Sequence, residues 1–239
     1  MLILDLTLDS PAANIALDEA LLLEAEETAG ANEVLRIWES SQTFVVVGSS
    51  SKASSEVNLS NCRADRVPVL RRASGGAAIL TGPGCLMYAV LLSYDRHPHL
   101  RAVDLAHRHV LGRLAPAIGR HIAGVHQAGT SDLALHDRKF SGNSLRCKRS
   151  HLVYHGTLLY GFPLDRIEHY LRLPERQPEY RQGRSHGNFV VNLPLDRTTL
   201  VAALRNAFQA GKPMRDWPRD RMARLVMEKY TRDEWNLRM

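Results

Sequence analysis

Short apolar segments interleaved with helix-like segments constrain this chain more than any other feature. The apolar and β-branched runs predict strands over residues 34–38, 43–47, 67–70, 86–92, 131–135, 139–143 and 151–159. Helical patterns cover 14–27 (with a start at Ser10 and Pro11), 103–118, 164–171, 198–209 and 219–230. Strands and helices intermix without a strict strand–helix–strand alternation, which predicts an α+β (mixed α/β) fold. No repeat or linker appears, so we expect residues 1–239 to form one domain.

The composition is typical of a globular protein with a well-filled core. Hydrophobic residues make up 44% of the 239 residues and charged residues 23%, which excludes a disordered tail and a disulfide mini-protein. Three cysteines without C-x-x-C spacing indicate reduced thiols. The chain begins without a basic signal-peptide region and has no apolar run long enough to cross a membrane, so we expect a cytoplasmic protein.

Charge is distributed unevenly along the chain. The first 60 residues contain two basic and ten acidic side chains, although the whole chain has 31 Lys and Arg against 25 Asp and Glu and a net charge of +6. The remaining three quarters are therefore strongly basic. Such a surface favours an anionic partner, and nucleic acid, a nucleotide and an acidic protein all meet that requirement.

The first candidate site follows a predicted strand and is rich in small residues. Its sequence is Arg71-Arg72-Ala73-Ser74-Gly75-Gly76-Ala77. Backbone N–H groups in such a turn can approach an anion closely, and the two arginines can donate charge-assisted hydrogen bonds to phosphate or carboxylate. A glycine turn with solvated arginines is the alternative, because the segment matches neither a Walker loop nor a G-x-G-x-x-G fingerprint.

The second candidate site is a predicted hairpin that begins near Asp132 and turns at His136-Asp137. The returning strand passes through Lys139 and reaches the small residues Ser141 and Gly142. A lysine there is ordinarily a solvated charge on an edge strand. Its functional alternative is a fixed cation beside a transferring acyl or phosphoryl group, where charge develops in the transition state.

The third candidate segment, His155-Gly156-Thr157, lies inside the predicted strand over residues 151–159. A glycine inside a strand weakens it unless another group packs close to the backbone. A histidine at such a position is by itself typical of a hydrogen-bonded core or edge residue. The segment therefore points to a function only in combination with the other two.

Together the three segments resemble the lipoate–protein ligase family, which has the biotin/lipoate A/B protein ligase catalytic domain. The family signatures RR-x-SGG, NDL…KK(I/F)SG and HGT(L)L are matched in order and spacing by segments that begin at Arg71, Ser131 and His155. Trp38 and the strand that ends before Gly48 are similar to the family's early strand pair. The resemblance covers the chain from about residue 10 to its end, and it is specific as a set although each motif alone is weak.

The resemblance implies a fold, a reaction and its substrates. The implied fold is a mixed sheet flanked by helices, akin to class II aminoacyl-tRNA synthetases. The implied enzyme forms lipoyl-AMP from lipoate and ATP, with Mg²⁺ offsetting the triphosphate charge, and then transfers the lipoyl group to a lysine of an acceptor protein. The implied acceptor is an acidic lipoyl domain or carrier protein, which would account for the basic surface.

The resemblance also implies a role for each matching residue. Lys139 is expected to contact the acyl carbonyl and the α-phosphate of lipoyl-AMP, as an electrostatic stabiliser and not as a nucleophile. Asp132 is expected on the adenylate side, His155 near the lipoyl group, and Trp38 in the wall of the acyl tunnel. The other expected binding residues are Arg71, Arg72, Ser74, Gly75, Gly76, Ala77, Ser141, Gly142, Gly156 and Thr157.

The chain departs from the family pattern at three places. Ala77 stands where the family has a third glycine, and residues 80–85 (LTGPGC) replace the family's HD-x-GN stretch. The chain ends at residue 239, so we expect it to lack the C-terminal accessory domain of longer ligases. Some members of the family obtain that domain as a separate polypeptide, and others only transfer from a ready-made adenylate.

Two alternative functions stay open. A cysteine-dependent octanoyl or lipoyl transferase on the same fold would need a reactive thiolate; Cys85 and Cys147 are the candidates, because residues 122–129 contain no cysteine. A nucleic-acid-binding protein would account for basic clusters at 138–149 and 212–224, but aromatic residues are only 6% of the chain, and nucleic acid is not the expected partner. Without an H-E-x-x-H or paired-cysteine motif, we expect no intrinsic metal site.

Overall fold

The strands and helices follow the predicted succession over most of the chain. The computed structural model describes residues 1–28 and 32–238. Its strands are β1 (Leu2–Asp5), β2 (Val34–Trp38), β3 (Phe44–Val47), β4 (Val69–Arg71), β5 (Ile79–Thr81), β6 (Cys85–Ser93), β7 (Val125–Ala128), β8 (Asp132–Leu135), β9 (Arg138–Cys147), β10 (His151–Leu159) and β11 (Lys212–Pro213). Its helices are α1 (Pro11–Glu27), α2 (Ala53–Glu56), α3 (Leu59–Ala64), α4 (Val103–Gly119), α5 (Asp165–Tyr170), α6 (His186–Phe189), α7 (Arg197–Phe208), α8 (Arg219–Leu225) and α9 (Asp233–Asn236).

A large mixed sheet and a small sheet organise these elements. The large sheet has the strand order β11-β1-β2-β6-β10-β9-β8-β7, and the small sheet has the order β4-β3-β5. β1 pairs in parallel with β2 and β11, whereas the neighbours from β2 to β7 pair antiparallel. The fold is therefore the mixed α/β architecture that the sequence predicts.

Helices cover both faces of the large sheet. On one face, Leu17 of α1 shares a buried cluster with Leu91 of β6. On the other face, Leu114 of α4 and Leu204 of α7 share a cluster with Val90 of the same strand. Because successive side chains of a strand point to opposite faces, one continuous apolar strand supplies both layers. None of the helices in the described ranges is long and apolar enough to cross a membrane.

Most of the predicted elements are confirmed, with boundaries that move by a few residues. Ser10 caps α1 as predicted, because its hydroxyl accepts a hydrogen bond from Ala13 N at 3.1 Å. The strands β1, β5, β7 and β11 are missing from the prediction, since they are too short to show a periodicity. The last predicted helix, over 219–230, is α-helical only as far as Leu225, and Val226–Tyr230 form a π-helical turn.

A buried ion pair joins α1 to β2. The Arg36 side chain is 0% exposed, and its guanidinium donates to Asp18 Oδ1 at 2.5 Å and to Asn14 O and Oδ1 at 2.6 and 2.9 Å. Burial alone would raise the pKa of the Asp18 carboxyl, but the ion pair with Arg36 and the hydrogen bond with His155 hold it below its ordinary value of 3.8. The pair is therefore charged at neutral pH and ties the first helix to the large sheet.

Replacing Arg36 by methionine is expected to destabilise the protein by about 3–5 kcal/mol, because the Asp18 carboxylate is then buried without its partner. The double variant Arg36→Met with Asp18→Leu is expected to recover most of that loss, since neither charge is buried. Urea unfolding at pH 7 measures both effects. Equal losses in the single and double variants would show that the two residues act through packing and not through charge.

The same ion pair should make stability depend on pH in the acid range. The pKa of Asp18 is lower in the folded protein than in the unfolded chain, so its charge stabilises the fold above the ordinary value of 3.8. That stabilisation is lost as the pH falls through the lower folded value. The difference in unfolding free energy between the wild type and Arg36→Met is therefore expected to shrink below about pH 4.

Candidate active site

A cavity of about 470 Å³ lies between the large sheet, the small sheet and a covering segment over residues 174–189. Its walls come from α1, from the loop after β4, from strands β8 to β10 and from the covering segment. A smaller cavity of about 120 Å³ adjoins it and shares Lys139, Thr157 and Arg181 among its lining residues. The two spaces together suit a small molecule with two chemically different parts.

One wall of the larger cavity is apolar. Ile15 of α1, Trp38 of β2, Val46 of β3 and Met87 of β6 line it. All four belong to one buried cluster, and Trp38 is only 1% exposed. Side chains of this kind offer dispersion contacts and remove apolar surface from water, so the wall can hold a hydrocarbon chain.

The glycine-rich loop packs against the loop that follows β3. A Cβ atom on Gly48 would lie 1.9 Å from the Gly76 carbonyl oxygen, so the two backbones touch. Ser49 N donates to the Ser74 carbonyl oxygen at 2.8 Å, which holds the loops together. Gly76 has a φ of 87°, a conformation that favours glycine, and with Ala77 it lines the cavity.

Arg72 lines the cavity through a guanidinium that is bound to its own loop. The group donates to the Ser74 hydroxyl and to the backbone carbonyls of Gly75, Ala77 and Val46. Burial lowers the pKa of Arg72 to about 10, so the side chain is charged at neutral pH. No carboxylate among the described residues lies within salt-bridge distance of it, and its charge therefore raises the potential of the cavity wall.

Arg71 takes a different position from its neighbour and lies outside the lining of both cavities. Its guanidinium donates to four backbone carbonyls, those of Gly48, Ser51, Trp235 and Arg238. Its backbone N–H donates to Asn236 Oδ1 at 3.0 Å, and its carbonyl accepts from Trp235 Nε1 at 2.9 Å. In this structure Arg71 therefore anchors the glycine-rich loop to the segment around α9, and a direct contact with a ligand stays a prediction.

Lys139 and Asp132 face each other across the β8–β9 hairpin. Lys139 Nζ lies 2.7 Å from Asp132 Oδ1, and Tyr180 Oη donates to Asp132 Oδ2 at 2.8 Å. The register of the hairpin shifts between Leu133 and Ala134, and this irregularity turns Lys139 to the side of Asp132. Gly142 leaves room for the lysine, since a Cβ there would lie 2.9 Å from Nζ. The pair fixes a cation in the cavity wall.

His155 is held by hydrogen bonds at both ring nitrogens. Arg72 Nε donates to Ser74 Oγ at 3.0 Å, so the Ser74 hydroxyl can donate to His155 Nε2, which lies 2.5 Å away. His155 Nδ1 lies 3.2 Å from Asp18 Oδ2 and donates to it in this arrangement. The imidazole consequently has one orientation in the cavity wall, and the buried Asp18 carboxylate links it to Arg36.

The remaining predicted residues lie in the cavity walls or directly behind them. The larger cavity is also lined by Gly142, Gly156 and Thr157, and the smaller one by Ser141. Ser74 and Gly75 stand behind the wall, where they hold His155 and Arg72. The structure thus brings the three sequence segments together around one space, with Arg71 as the residue that points elsewhere.

The structure adds lining residues that the sequence analysis did not single out. Asp18 lines the larger cavity from α1, and an acid on the apolar side of a buried helix was the signal that could have found it. Arg176, Arg181 and Phe189 line it from the covering segment, and Tyr180 reaches Asp132 from there. This segment has no periodicity, so nothing in the sequence predicted its path over the cavity.

Positive charge is in excess at the cavity. The two carboxylates that line the larger cavity, Asp18 and Asp132, are paired with Arg36 and Lys139. The guanidinium of Arg72 donates only to carbonyl and hydroxyl groups, so its charge is not neutralised by a close carboxylate. A cavity with this balance favours an anionic ligand.

The described residues place neither a metal-binding cluster nor a cysteine at the cavity. Over residues 1–28 and 32–238, no group of three or more His, Cys, Asp or Glu side chains could hold a metal ion. Cys62, Cys85 and Cys147 are free thiols, and none of them lines either cavity. Burial raises the pKa of Cys85 to about 12, which keeps its thiol protonated at neutral pH.

The chain belongs to the family of the lipoyl protein ligase A/B catalytic domain, whose model matches residues 10–210. The Mycoplasma genitalium protein named "Probable lipoate-protein ligase A" is 28% identical to it over 191 residues, which is 77% of this chain and 53% of the relative. The chain therefore spans about half the length of the curated relatives it matches. The predicted family is confirmed.

Solved structures share the fold over nearly the whole chain. A crystal structure of lipoate-protein ligase A bound with ATP has a TM-score of 0.86 at 18% identity and covers 99% of this chain and 98% of that chain. A second structure comes from a Thermoplasma acidophilum lipoylation system, described as a bi-partite lipoate protein ligase and its E2 lipoyl domain. It has a TM-score of 0.83 at 18% identity and covers 99% of this chain and 95% of that chain. The predicted mixed sheet flanked by helices is confirmed.

Two glycine substitutions test the packing of the loops. Gly48→Ala is expected to lower the free energy of unfolding by about 1–3 kcal/mol, because the new methyl group would collide with the Gly76 carbonyl. Gly75→Ala is the matched control, since a Cβ there meets nothing within 4 Å and should change stability by less than about 0.5 kcal/mol. Thermal and urea unfolding measure both variants, and equal effects would contradict the close approach of the two loops.

Proposed function

We propose that the chain is a lipoate–protein ligase domain that transfers a lipoyl group through lipoyl-AMP to a lysine of an acceptor protein. In the first step the lipoate carboxylate attacks the α-phosphorus of ATP, and pyrophosphate leaves. In the second step an uncharged lysine amine attacks the acyl carbonyl carbon, the bond to the phosphate oxygen breaks, and AMP leaves with the electron pair. The amine proton passes to solvent. Residues 1–239 act as one domain in this proposal.

The observation that carries the proposal is the position of Lys139 Nζ in the cavity wall. The ammonium group is held by Asp132 at 2.7 Å, at the point where the larger and smaller cavities share their lining. A preorganised cation there stabilises negative charge on the acyl oxygen and on the phosphate as they develop. Lys139 needs no covalent bond to the substrate for this role, in agreement with its ion pair.

The two parts of the acyl-adenylate match two regions of the cavity. The lipoyl chain would lie along the apolar wall that includes Trp38 and Met87, with His155 beside it. The phosphate would lie near Lys139 and near the glycine-rich loop around Gly76, whose backbone closely approaches the cavity. The adenylate would extend past Thr157 towards the smaller cavity.

ATP would bring its own Mg²⁺ ion. The described part of the chain has no cluster of three metal-binding side chains, so the ion would be held mainly by the phosphate oxygens. Its chemistry would be to offset the triphosphate charge during attack by the lipoate carboxylate. Asp132 is engaged with Lys139 and Tyr180, which leaves it as a positioning group for the lysine.

An acidic lipoyl domain or carrier protein is the proposed acceptor. The strand that carries Lys139 at its start presents the exposed residue Arg146 near its end, followed by exposed Lys148 and Arg149. This basic surface on β9 and the turn after it would attract an acidic domain and would make transfer sensitive to salt. Three free thiols agree with a cytoplasmic site of action.

The transfer step is tested with lipoyl-AMP and an apo lipoyl domain, with the mass of the acceptor as readout. The wild type should add one lipoyl group, and Lys139→Met should lower kcat/KM by about 10²–10³ because it removes the fixed cation. Lys212→Met is the matched control, since Lys212 is exposed on β11 and lines neither cavity, and it should keep kcat/KM near the wild-type value. Undiminished transfer by Lys139→Met would refute the role of Lys139.

Activation is tested separately by replacing lipoyl-AMP with ATP, Mg²⁺ and lipoate. Acceptor lipoylation by the chain alone would show that it performs both steps. Lipoylation only after a separate accessory-domain polypeptide is added would assign activation to a two-polypeptide enzyme. In either case transfer from lipoyl-AMP should proceed, because the proposed contacts to the adenylate lie within this chain.

The thioester alternative predicts a different result with cysteine variants. Cys85 is buried, and its pKa of about 12 makes it a poor nucleophile, so the triple variant Cys62→Ala, Cys85→Ala and Cys147→Ala should keep lipoyl transfer. The wild type, incubated with an octanoyl-carrier protein, should show no acyl adduct on the enzyme by mass spectrometry. A hydroxylamine-sensitive adduct on wild type that the Cys→Ala variants lose would establish the thioester transferase instead.

A further inference from the structure

Arg181 differs from the other buried arginines of the described chain. Arg36, Arg71 and Arg72 each donate hydrogen bonds through both terminal guanidinium nitrogens. Arg181 is 4% exposed, but within the described ranges its guanidinium has one partner, the Arg184 carbonyl, to which Nε donates at 2.9 Å. Its Nη2 atom is buried and has no partner. A buried charged donor without an acceptor is costly unless a ligand supplies one.

The local backbone holds this guanidinium in place. A one-turn 3₁₀ helix over Glu179–Arg181 is followed by Gln182 and Gly183 with φ angles of 52° and 68°, which reverse the chain. Arg184 Nε donates back to the Arg181 carbonyl at 3.0 Å, so the two arginines bind each other's backbone. The Arg181 guanidinium carbon lies 4.6 Å from the centre of the Phe189 ring. The side chain is therefore ordered before any ligand arrives.

Arg181 belongs to the wall of the candidate active site. Arg181 lines both cavities, and Lys139 lines the same two. Asp132 of the same wall already binds Lys139 and Tyr180, and no carboxylate among the described residues lies within salt-bridge distance of Arg181. Arg184, in contrast, pairs with Asp137 at 2.8 Å, so its charge is already balanced by a carboxylate. The geometry thus leaves one buried guanidinium for an anion in the cavity.

We propose that Arg181 binds the phosphate of the acyl-adenylate through its terminal guanidinium nitrogens. The assignment rests on the proposed function. It adds a second cation at the phosphate, which comes from the covering segment, whereas Lys139 comes from β9. When the lysine amine displaces AMP, the phosphate changes from a monoanionic anhydride to a free monoester that carries additional negative charge. A water-excluded guanidinium stabilises that charge more strongly as it develops, so Arg181 favours departure of AMP.

The binding test compares AMP with adenosine in wild type and Arg181→Met by isothermal titration. Affinity for AMP should fall about 10- to 100-fold in the variant, because hydrogen bonds from a charged donor to the phosphate are lost. Affinity for adenosine should stay at the wild-type value. Arg120→Met is the matched control, since Arg120 is exposed and lines neither cavity, and its removal should change AMP affinity by less than about threefold.

A stability measurement separates ligand binding from a structural role. Arg181→Met removes a buried charge whose Nη2 has no acceptor among the described residues, so the ligand-free variant should unfold at the same or a higher temperature than wild type. Arg36→Met, which breaks a buried pair, should unfold at a lower temperature in the same assay. If Arg181→Met destabilises the free protein as much as Arg36→Met does, the residue is structural and the assignment is overturned.

The remaining outcomes also decide the assignment. Equal AMP affinity in wild type and Arg181→Met would overturn it, while transfer from lipoyl-AMP by the wild type would still support the proposed function. If Arg181→Met binds ATP more weakly than wild type does but binds AMP equally well, Arg181 contacts the outer phosphates of ATP, and the assignment is overturned as well. A wild type that binds neither nucleotide and transfers nothing would overturn both proposals together.

Discussion

The buried Asp18 carboxylate is the interaction on which both the fold and the candidate site depend. One oxygen binds Arg36 in the large sheet and the other lies 3.2 Å from the ring of His155 in the cavity wall. Through His155 the connection continues to Ser74 in the glycine-rich loop at 2.5 Å. The buried carboxylate therefore connects the first helix, two strands of the large sheet and the loop. Its hydrogen bonds form only when all of these elements are in place.

Much of the fold could be predicted from the sequence, because strands such as β2 and β10 have strong local patterns. Nine residues predicted from the three motifs, including Lys139, line the larger cavity. The residues that were missed depend on contacts distant in sequence. Arg71 and Arg72 are adjacent in the motif, but in the fold Arg71 donates to carbonyls of the segment around α9, whereas Arg72 lines the cavity. Likewise, the covering segment has no period, so its path over the cavity depends on tertiary packing.

Buried arginines in this chain fall into two physical classes. Those that hold the backbone have their terminal nitrogens saturated by carbonyls or a carboxylate, as Arg71 and Arg36 do, and removing the side chain would leave several acceptors without donors. Arg181 has the opposite balance, because its buried Nη2 has no acceptor among the described residues. A buried arginine stabilises the fold when its nitrogens have acceptors, whereas the proposed ligand binding requires one whose nitrogens lack them. Such a conflict between stability and function is usual at a binding site.

Tyr180 and Arg181 occupy neighbouring positions on one turn, and this adjacency bears on how charge is balanced during the proposed reaction. In the ligand-free protein Asp132 is shared between Lys139 and the Tyr180 hydroxyl. Burial raises the pKa of Tyr180 well above its ordinary value, so the phenol stays a donor at neutral pH. In the proposed reaction Lys139 would keep its ion pair with Asp132 while it stabilises the substrate, the Tyr180 hydrogen bond would hold Asp132 in position, and Arg181 would contribute the second cation. The same short turn would therefore position the acid that holds Lys139 and bind the phosphate beside it.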